Sequence, residues 1–283
     1  MNRKELVSQI KEKRNYLCVG LDTDLSKIPA YLQSHPDAIF EFNKQIIDAT
    51  KDFCVSYKIN TAFYEAMGIK GWEAIEKTVD YIPSTHFKIA DAKRGDIGNT
   101  SAQYAKTFFE VYGFDAVTVA PYMGEDAIRP FLDYNDKWTI VLGLTSNKGS
   151  MDFQQLVVST EREDLLSQVK SEQHQHKQYL YEKVMHTIAG WGSPDNLMFV
   201  VGATKPEQLA DIRRQLPEHF FLVPGIGFQG GSLRNVSKAA LTEDAGLLVN
   251  VSRAIIYASS NDKFANEGRI VAEQYDVEMK SYI

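Results

Sequence analysis

"HFKIADAKRGDIGNT", residues 86–100, joins an apolar run to a burst of charge. Phe87, Ile89 and Ala90 read as part of a buried strand; Asp91, Lys93, Arg94 and Asp96 then place four charges within six positions. Ionised groups that leave water at the end of a buried strand lose hydration, and something must offset that loss. Interleaved acids and bases therefore point either to a structural ion-pair cluster or to a reaction site. What the rest of the chain builds around them decides between the two.

Seven further runs resemble this strand. They are "YLCVGLD" (16–22), "FCVSYKIN" (53–60), "DAVTVAPY" (115–122), "WTIVLGLTS" (138–146), "LMFVVGAT" (197–204), "FFLVPGIG" (220–227) and "GLLVNVSR" (246–253). Each is rich in Val, Ile, Leu or Phe and stops at Gly, Pro or polar residues, as buried parallel strands do. Between them lie stretches of helical pattern: "PDAIFEFNKQIIDATKD" (36–52), "GWEAIEKTVDYI" (71–82), "TSAQYAKTFFEVYG" (100–113), "KPEQLADIRRQL" (205–216) and "GSLRNVSKAAL" (231–241). Strand and helix in alternation imply parallel βαβ units. Eight units in 283 residues fit a (β/α)8 TIM barrel formed as a single domain over 1–283. A doubly wound open sheet is the alternative, but no GxGxxG turn follows the first strand. Nearly fifty residues separate strands five and six; the polar, helix-prone stretch at about 150–195 predicts a helical insertion after strand five. "HQH" at 174–176 invites a metal reading, yet residues two apart do not share a helix face, so a solvated helix surface accounts for it better.

Bulk properties narrow the function. A net charge of −6 gives no basic footprint for nucleic acid. The N-terminus is charged without an apolar signal core, and no apolar run approaches the roughly 20 residues of a membrane span. The two cysteines, Cys18 and Cys54, lie inside strand runs and read as small buried hydrophobes. A reducing, cytoplasmic compartment is expected.

In such barrels the site lies at the C-terminal ends of the strands. The unusual polar residues fall there: Asp22, Lys58 and Asn60, Asp91 and Lys93, Thr145 and Ser146, Ser252 and Arg253. Period two along strand two puts Cys54, Ser56, Lys58 and Asn60 on one face and bulky apolar residues on the other, so Lys58 should point to the barrel axis. Asp91 and Lys93 share a face of strand three and can meet Lys58. The same count leaves His86 and Lys88 on a face expected to be apolar, which places them at the lower rim. A capping salt-bridge cluster is the plainer explanation, but buried ion pairs add little net stability. Function explains an alternating Lys–Asp array at this end better.

The second feature is "LVPGIGFQGG", 222–231, with four glycines in its last eight residues. Such a loop lets backbone N–H groups approach an anion, and a helix starting near Ser232 adds a positive N-terminus. A plain glycine turn is the alternative. Arg253, after strand eight, makes a phosphate site the better reading, because the loops after strands seven and eight are where this fold binds phosphate. The residues thus predict a small phosphorylated substrate reacting beside Lys58, Asp91, Lys93 and Asp96. With no His-rich metal motif and no dinucleotide fingerprint, carboxylates and ammonium groups must do the chemistry.

"DAKRGDIGNT" resembles the D-x-K-x-x-D-I-x-x-T signature of the orotidine 5′-phosphate decarboxylase family, with Asp91, Lys93, Asp96, Ile97 and Thr100 all on it. "GLDTD" resembles its strand-one motif, with Asp22 as the ribose-contacting acid. "YKINTAFYEA" supplies Lys58, and "TSNKGS" supplies Ser146 as the pyrimidine contact. "PGIGFQGG" resembles the phosphate loop, with Gln229, and "NVSRAIIYAS" supplies Arg253. The resemblance covers nearly the whole chain and is to the longer, mostly bacterial branch. Ile59 and Lys148 depart from it, each standing where Pro is common. The resemblance implies decarboxylation of orotidine 5′-monophosphate to uridine 5′-monophosphate, the last step of de novo pyrimidine synthesis, with no cofactor and no metal and with Lys93 as proton donor. It also implies a homodimer in which Asp96, Ile97 and Thr100 enter the partner's site. Magnesium-dependent sugar-phosphate relatives share strand three but carry an acid where this chain has Lys58. A barrel that only binds nucleotides is the other rival, and intact acids and bases at all four tetrad positions speak against it.

Overall fold

The computed structural model describes residues 1–158, 178–227 and 230–283. Its strands are β1 Leu17–Gly20, β2 Ser56–Asn60, β3 Phe87–Arg94, β4 Ala116–Val119, β5 Trp138–Leu144, β6 Val157–Val158, β7 Gln178–Tyr179, β8 Leu197–Val201, β9 Phe220–Val223 and β10 Leu247–Val251. Its helices are α1 Arg3–Lys13, α2 Ala30–Gln33, α3 Ala38–Thr50, α4 Thr61–Glu65, α5 Ile69–Tyr81, α6 Gly98–Lys106, α7 Glu125–Leu132, α8 Leu180–Ala189, α9 Pro206–Gln215, α10 Leu233–Ala240, α11 Arg253–Ile256 and α12 Phe264–Met279. The strands close a parallel barrel in the order β1-β10-β9-β8-β5-β4-β3-β2. All eight expected barrel strands are in it, and the open-sheet alternative falls.

The continuous apolar runs have a simple cause. β8, β9 and β10 are buried at every position, because one face fills the barrel and the other lies under helices. Helices bury one stripe each: α5 buries Gly71, Ala74, Ile75, Thr78 and Val79, the i, i+3, i+4 pattern. Gly71 is required there, since a Cβ would sit 1.7 Å from the Tyr64 carbonyl oxygen. The five helices read from the sequence appear as α3, α5, α6, α9 and α10. The longer α1, α7 and α12 and the short α2, α4 and α11 were not read from the pattern. α7 carries Pro130 in its interior, a breaker signal that tertiary packing of Ile128 and Phe131 overrides.

Much of the expected helical insertion between β5 and β8 falls on residues outside those described. A 3-10 turn at Lys148–Asp152 leads into β6, which pairs antiparallel with β7. Then α8 packs so closely on β5 that a Cβ on Gly143 would meet Met185 Sδ at 2.6 Å. α8 is therefore the ordinary crossover helix of the fifth unit. Residues 159–177, including the His174–His176 pair, lie outside the described residues.

α1 covers the N-terminal mouth of the barrel, with Leu6 and Ile10 buried beneath it and a capping box of Asn2 and Glu5 at its start. His86 and Lys88 find their explanation at this rim. Lys88 Nζ donates to the Val79 carbonyl near the end of α5, 2.9 Å away, and His86 Nε2 lies 2.7 Å from the Lys51 carbonyl oxygen. Among the described residues no helix is long and apolar enough to cross a membrane.

Candidate active site

Parallel register brings the charged residues together at the C-terminal mouth. Gly20 pairs with Lys58, and Lys58 with Ile89, so the ends of β1, β2 and β3 lie side by side. Lys58 Nζ then sits 3.0 Å from Asp22 Oδ1 and 3.0 Å from Asp91 Oδ2. The other oxygen of Asp91, Oδ1, accepts from Lys93 Nζ at 2.6 Å. The result is an unbroken row, Asp22–Lys58–Asp91–Lys93.

Exposure grades along it. The Lys58 side chain is 5% exposed and that of Asp91 12%, whereas that of Lys93 is 50% exposed. Burial would pull the Lys58 ammonium down, but the carboxylates of Asp22 and Asp91 outweigh it and hold it above the ordinary lysine value. Burial likewise pushes Asp91 up, and the Lys58 and Lys93 ammonium groups reverse that and hold it well below the carboxylate range. Lys58 and Asp91 thus keep each other ionised. The row ends in an ammonium that reaches the open mouth.

Side-chain alternation put Asp91 and Lys93 on one face, but the strand is not regular there. Ala90 pairs with Val117 and Arg94 with Val119, so β3 bulges between them. Within the bulge Lys93 has φ 48°, left-handed backbone that a lysine rarely adopts. Thr118 of β4, which the sequence reading did not single out, accepts the Lys93 N–H at 2.9 Å and lies 3.1 Å from Asp91 Oδ1. No sequence signal marked it, because it looks like any Thr in an apolar strand. Arg94 leaves the mouth altogether: it pairs with Glu65 of α4 and lies over the rings of Tyr104 and Phe108.

Asp96 does not join the row within this chain. Its Oδ1 accepts the N–H of Ile97 at 2.8 Å, and Ile97 is 58% exposed. Thr100 lies exposed in the first turn of α6.

Asp22, Lys58 and Asp91 line one cavity of about 140 Å³ with Gly225, Ser252 and Arg253. The loop after β9 and the start of α11 are thus next to the charged row, as the phosphate reading requires. The loop itself differs from that reading in one respect. Gly225, Gly227 and Gly230 have φ of 99°, 76° and 85°, so glycine is needed. However, the N–H groups of Gly227, Gly230 and Gly231 bond to Gly231, Gly227 and Gly225 carbonyls, folding the loop on itself. Those three amides are engaged within the loop. Ser232 caps α10 by accepting the Asn235 N–H at 3.4 Å. Gln229 lies outside the described residues. Ser146 lines a different cavity, of about 120 Å³, with Thr145, Asn147, Gly202 and Lys205.

Cys18 and Cys54 are fully buried, and burial pushes both thiols up to about 12, which leaves them inert. Asp22 and Asp91 are the acids that could share a cation, but the Lys58 ammonium already lies between them and would repel one.

Residues 15–267 match the model of the Orotidine 5′-phosphate decarboxylase / HUMPS family. A protein of Christiangramia forsetii named orotidine 5′-phosphate decarboxylase is 52% identical over 284 residues, which span 99% of this chain and 98% of that one. One of the same name from Bacteroides fragilis is 52% identical over 282 residues, 99% of this chain and 97% of the other. Among solved structures, the OMP decarboxylase of Leishmania donovani is similar with a TM-score of 0.78 at 35% identity, covering 98% of this chain and 100% of that one. The UMP synthase of the same organism gives 0.82 at 36% identity over 98% of this chain, which spans 55% of that longer protein.

Proposed function

This chain belongs to the orotidine 5′-phosphate decarboxylase / HUMPS family, and on that premise we propose that it converts orotidine 5′-monophosphate to uridine 5′-monophosphate and CO2 without a cofactor, in the cytoplasm, as the last step of pyrimidine nucleotide synthesis. The observation that carries this reading is the row Asp22–Lys58–Asp91–Lys93, which ends in a half-exposed ammonium beside a cavity shared with Arg253.

Breaking the C6–carboxylate bond releases CO2 and leaves the electron pair on C6, where the pyrimidine ring delocalises it poorly. Lys93 stabilises that developing charge and then delivers the proton to C6, leaving an amine that is reprotonated from solvent. Asp91 holds Lys93 in place, Lys58 fixes Asp91, and Asp22 holds Lys58 and receives the ribose hydroxyl. Arg253 and Gln229 take the phosphate, and Ser146 the pyrimidine. Because the phosphate is remote from C6, its binding energy can drive closure of the mouth around the reacting centre.

The working unit is a homodimer. Asp96, Ile97 and Thr100 project past the end of β3 without joining the row of their own chain, as residues destined for the partner's site would. Asp96 of each chain then completes the tetrad of the other.

The ultraviolet spectrum of orotidine 5′-monophosphate, followed with purified protein and excess chelator, tests the reading. A steady change to the uridine 5′-monophosphate spectrum is expected. A folded protein that leaves the spectrum unchanged would refute it, and turnover of a pentulose phosphate on adding magnesium would favour the sugar-phosphate branch instead.

A further inference from the structure

Thr118 is fully buried in β4, between two groups of the charged row. Its hydroxyl has one proton and two neighbours. The Lys93 backbone N–H, 2.9 Å away, can only donate, and the ionised Asp91 carboxylate, 3.1 Å away, can only accept. The direction of both bonds follows: Lys93 N–H donates to Thr118 Oγ1, which donates to Asp91 Oδ1. Lys93 Nζ donates to that same oxygen at 2.6 Å. The three residues form a closed ring in which Lys93 takes part twice, by backbone and by side chain.

The bulge explains why a side chain is needed. Between the pairs Ala90–Val117 and Arg94–Val119, three residues of β3 face Thr118 alone. With the ladder interrupted, the Thr118 hydroxyl takes the place of a backbone acceptor. It also holds Lys93 at φ 48°, a backbone conformation that a residue with a Cβ rarely adopts. Resting on the decarboxylase reading above, we infer that Thr118 is a positioning residue for the reaction: its hydroxyl fixes the backbone of Lys93 and one oxygen of Asp91, and so aims the Lys93 ammonium at the reacting carbon.

Thr118→Val keeps the shape and removes the hydroxyl; Thr118→Ser keeps the hydroxyl and removes the methyl. With orotidine 5′-monophosphate as substrate, Thr118→Val is expected to lower kcat by about 10²-fold with little change in KM, since the ammonium is misplaced while the phosphate grip is intact. Thr118→Ser should recover most of that loss. A Thr118→Val enzyme with unchanged kcat, or a serine variant as slow as the valine one, would overturn the inference, because packing alone would then explain the residue. A crystal structure of Thr118→Val supplies a readout independent of turnover. Lys93 should leave its left-handed backbone and its Asp91 contact; a Lys93 that stays put would overturn the inference as well. Inactivity of the unsubstituted protein would instead sink the decarboxylase reading, with the crystal structure still deciding the role of Thr118.

Discussion

Both ends of the barrel bury cationic side chains, and they satisfy them differently. At the N-terminal mouth the Met1 ammonium pairs with Asp115, but three side-chain cations rest on backbone carbonyls. Lys13 donates to Lys51 and Cys54, Lys88 to Val79, and Arg213 to Leu216, Pro217, His219, Ala240 and Gly246. Burial pulls all three down, Arg213 to about 9. At the C-terminal mouth the partners are carboxylates, and Lys58 is held above its ordinary value. A cation over carbonyls fastens helix ends and strand starts and carries no reactive partner. A cation between carboxylates keeps a row of charges ionised out of water, a costly arrangement whose return is chemistry rather than stability. The two ends should therefore fail differently when disturbed.

The largest effect belongs to the C-terminal end. Lys93→Ala should lower the decarboxylation rate by about 10⁴-fold or more, since it removes both charge stabilisation and the proton donor. Fold and stability should be nearly unchanged, because the lysine is half-exposed. A stopped assay with a unit-resolution melting curve checks both, and a near-normal rate would remove the contrast.

Arg213→Met is the mirror experiment. It strips buried carbonyls of their donor and should lower unfolding free energy in urea by about 3 kcal/mol while kcat at 25 °C stays as it was. Arg213→Lys should recover little, since one ammonium cannot replace a forked guanidinium reaching five carbonyls. A loss of rate that exceeds the loss of folded protein would show the two ends to be coupled.

The smallest and sharpest test is acid. His86 and His219 are each pushed down to about 4, first by burial and then by Lys13 and Arg213 respectively. An unfolded histidine takes its proton near 6.5, so their contribution is complete above about pH 6.5 and drains away as pH falls toward 4. Asp91 is also depressed, so its contribution is complete above the ordinary carboxylate value of about 4 and is lost below it. Stability measured against pH should thus decline in two stages. Asp91→Asn should weaken the lower stage, which Asp24, Asp37 and Asp48 share, and spare the upper; loss of both stages would contradict the assignment of ends.

The outline of this division was readable in the chain. Period two predicted that Lys58 faces the axis, and it lies between Asp22 and Asp91. His86 and Lys88, misplaced by the same count, do lie at the lower rim. Less local features were not readable. Pro130 hid α7, because packing rather than propensity maintains that helix. The glycines of 222–231 read as a loop whose N–H groups can approach an anion; that the amides of Gly227, Gly230 and Gly231 bond to carbonyls within the loop is a matter of φ angles that composition does not encode. Thr118 was invisible because its partners belong to a neighbouring strand.

The eight-strand alternation, the placing of charge at strand ends and the family signature follow from the sequence alone, because side-chain period and the clash between charge and burial act over a few residues. The tertiary structure alone decided which charges meet. Register set Lys58 level with Gly20 and Ile89, a bulge turned Lys93 back toward Asp91, and Asp96 was left outside the row. Those outcomes depend on how strands distant in sequence align, and a strand's own residues do not specify its neighbour's offset.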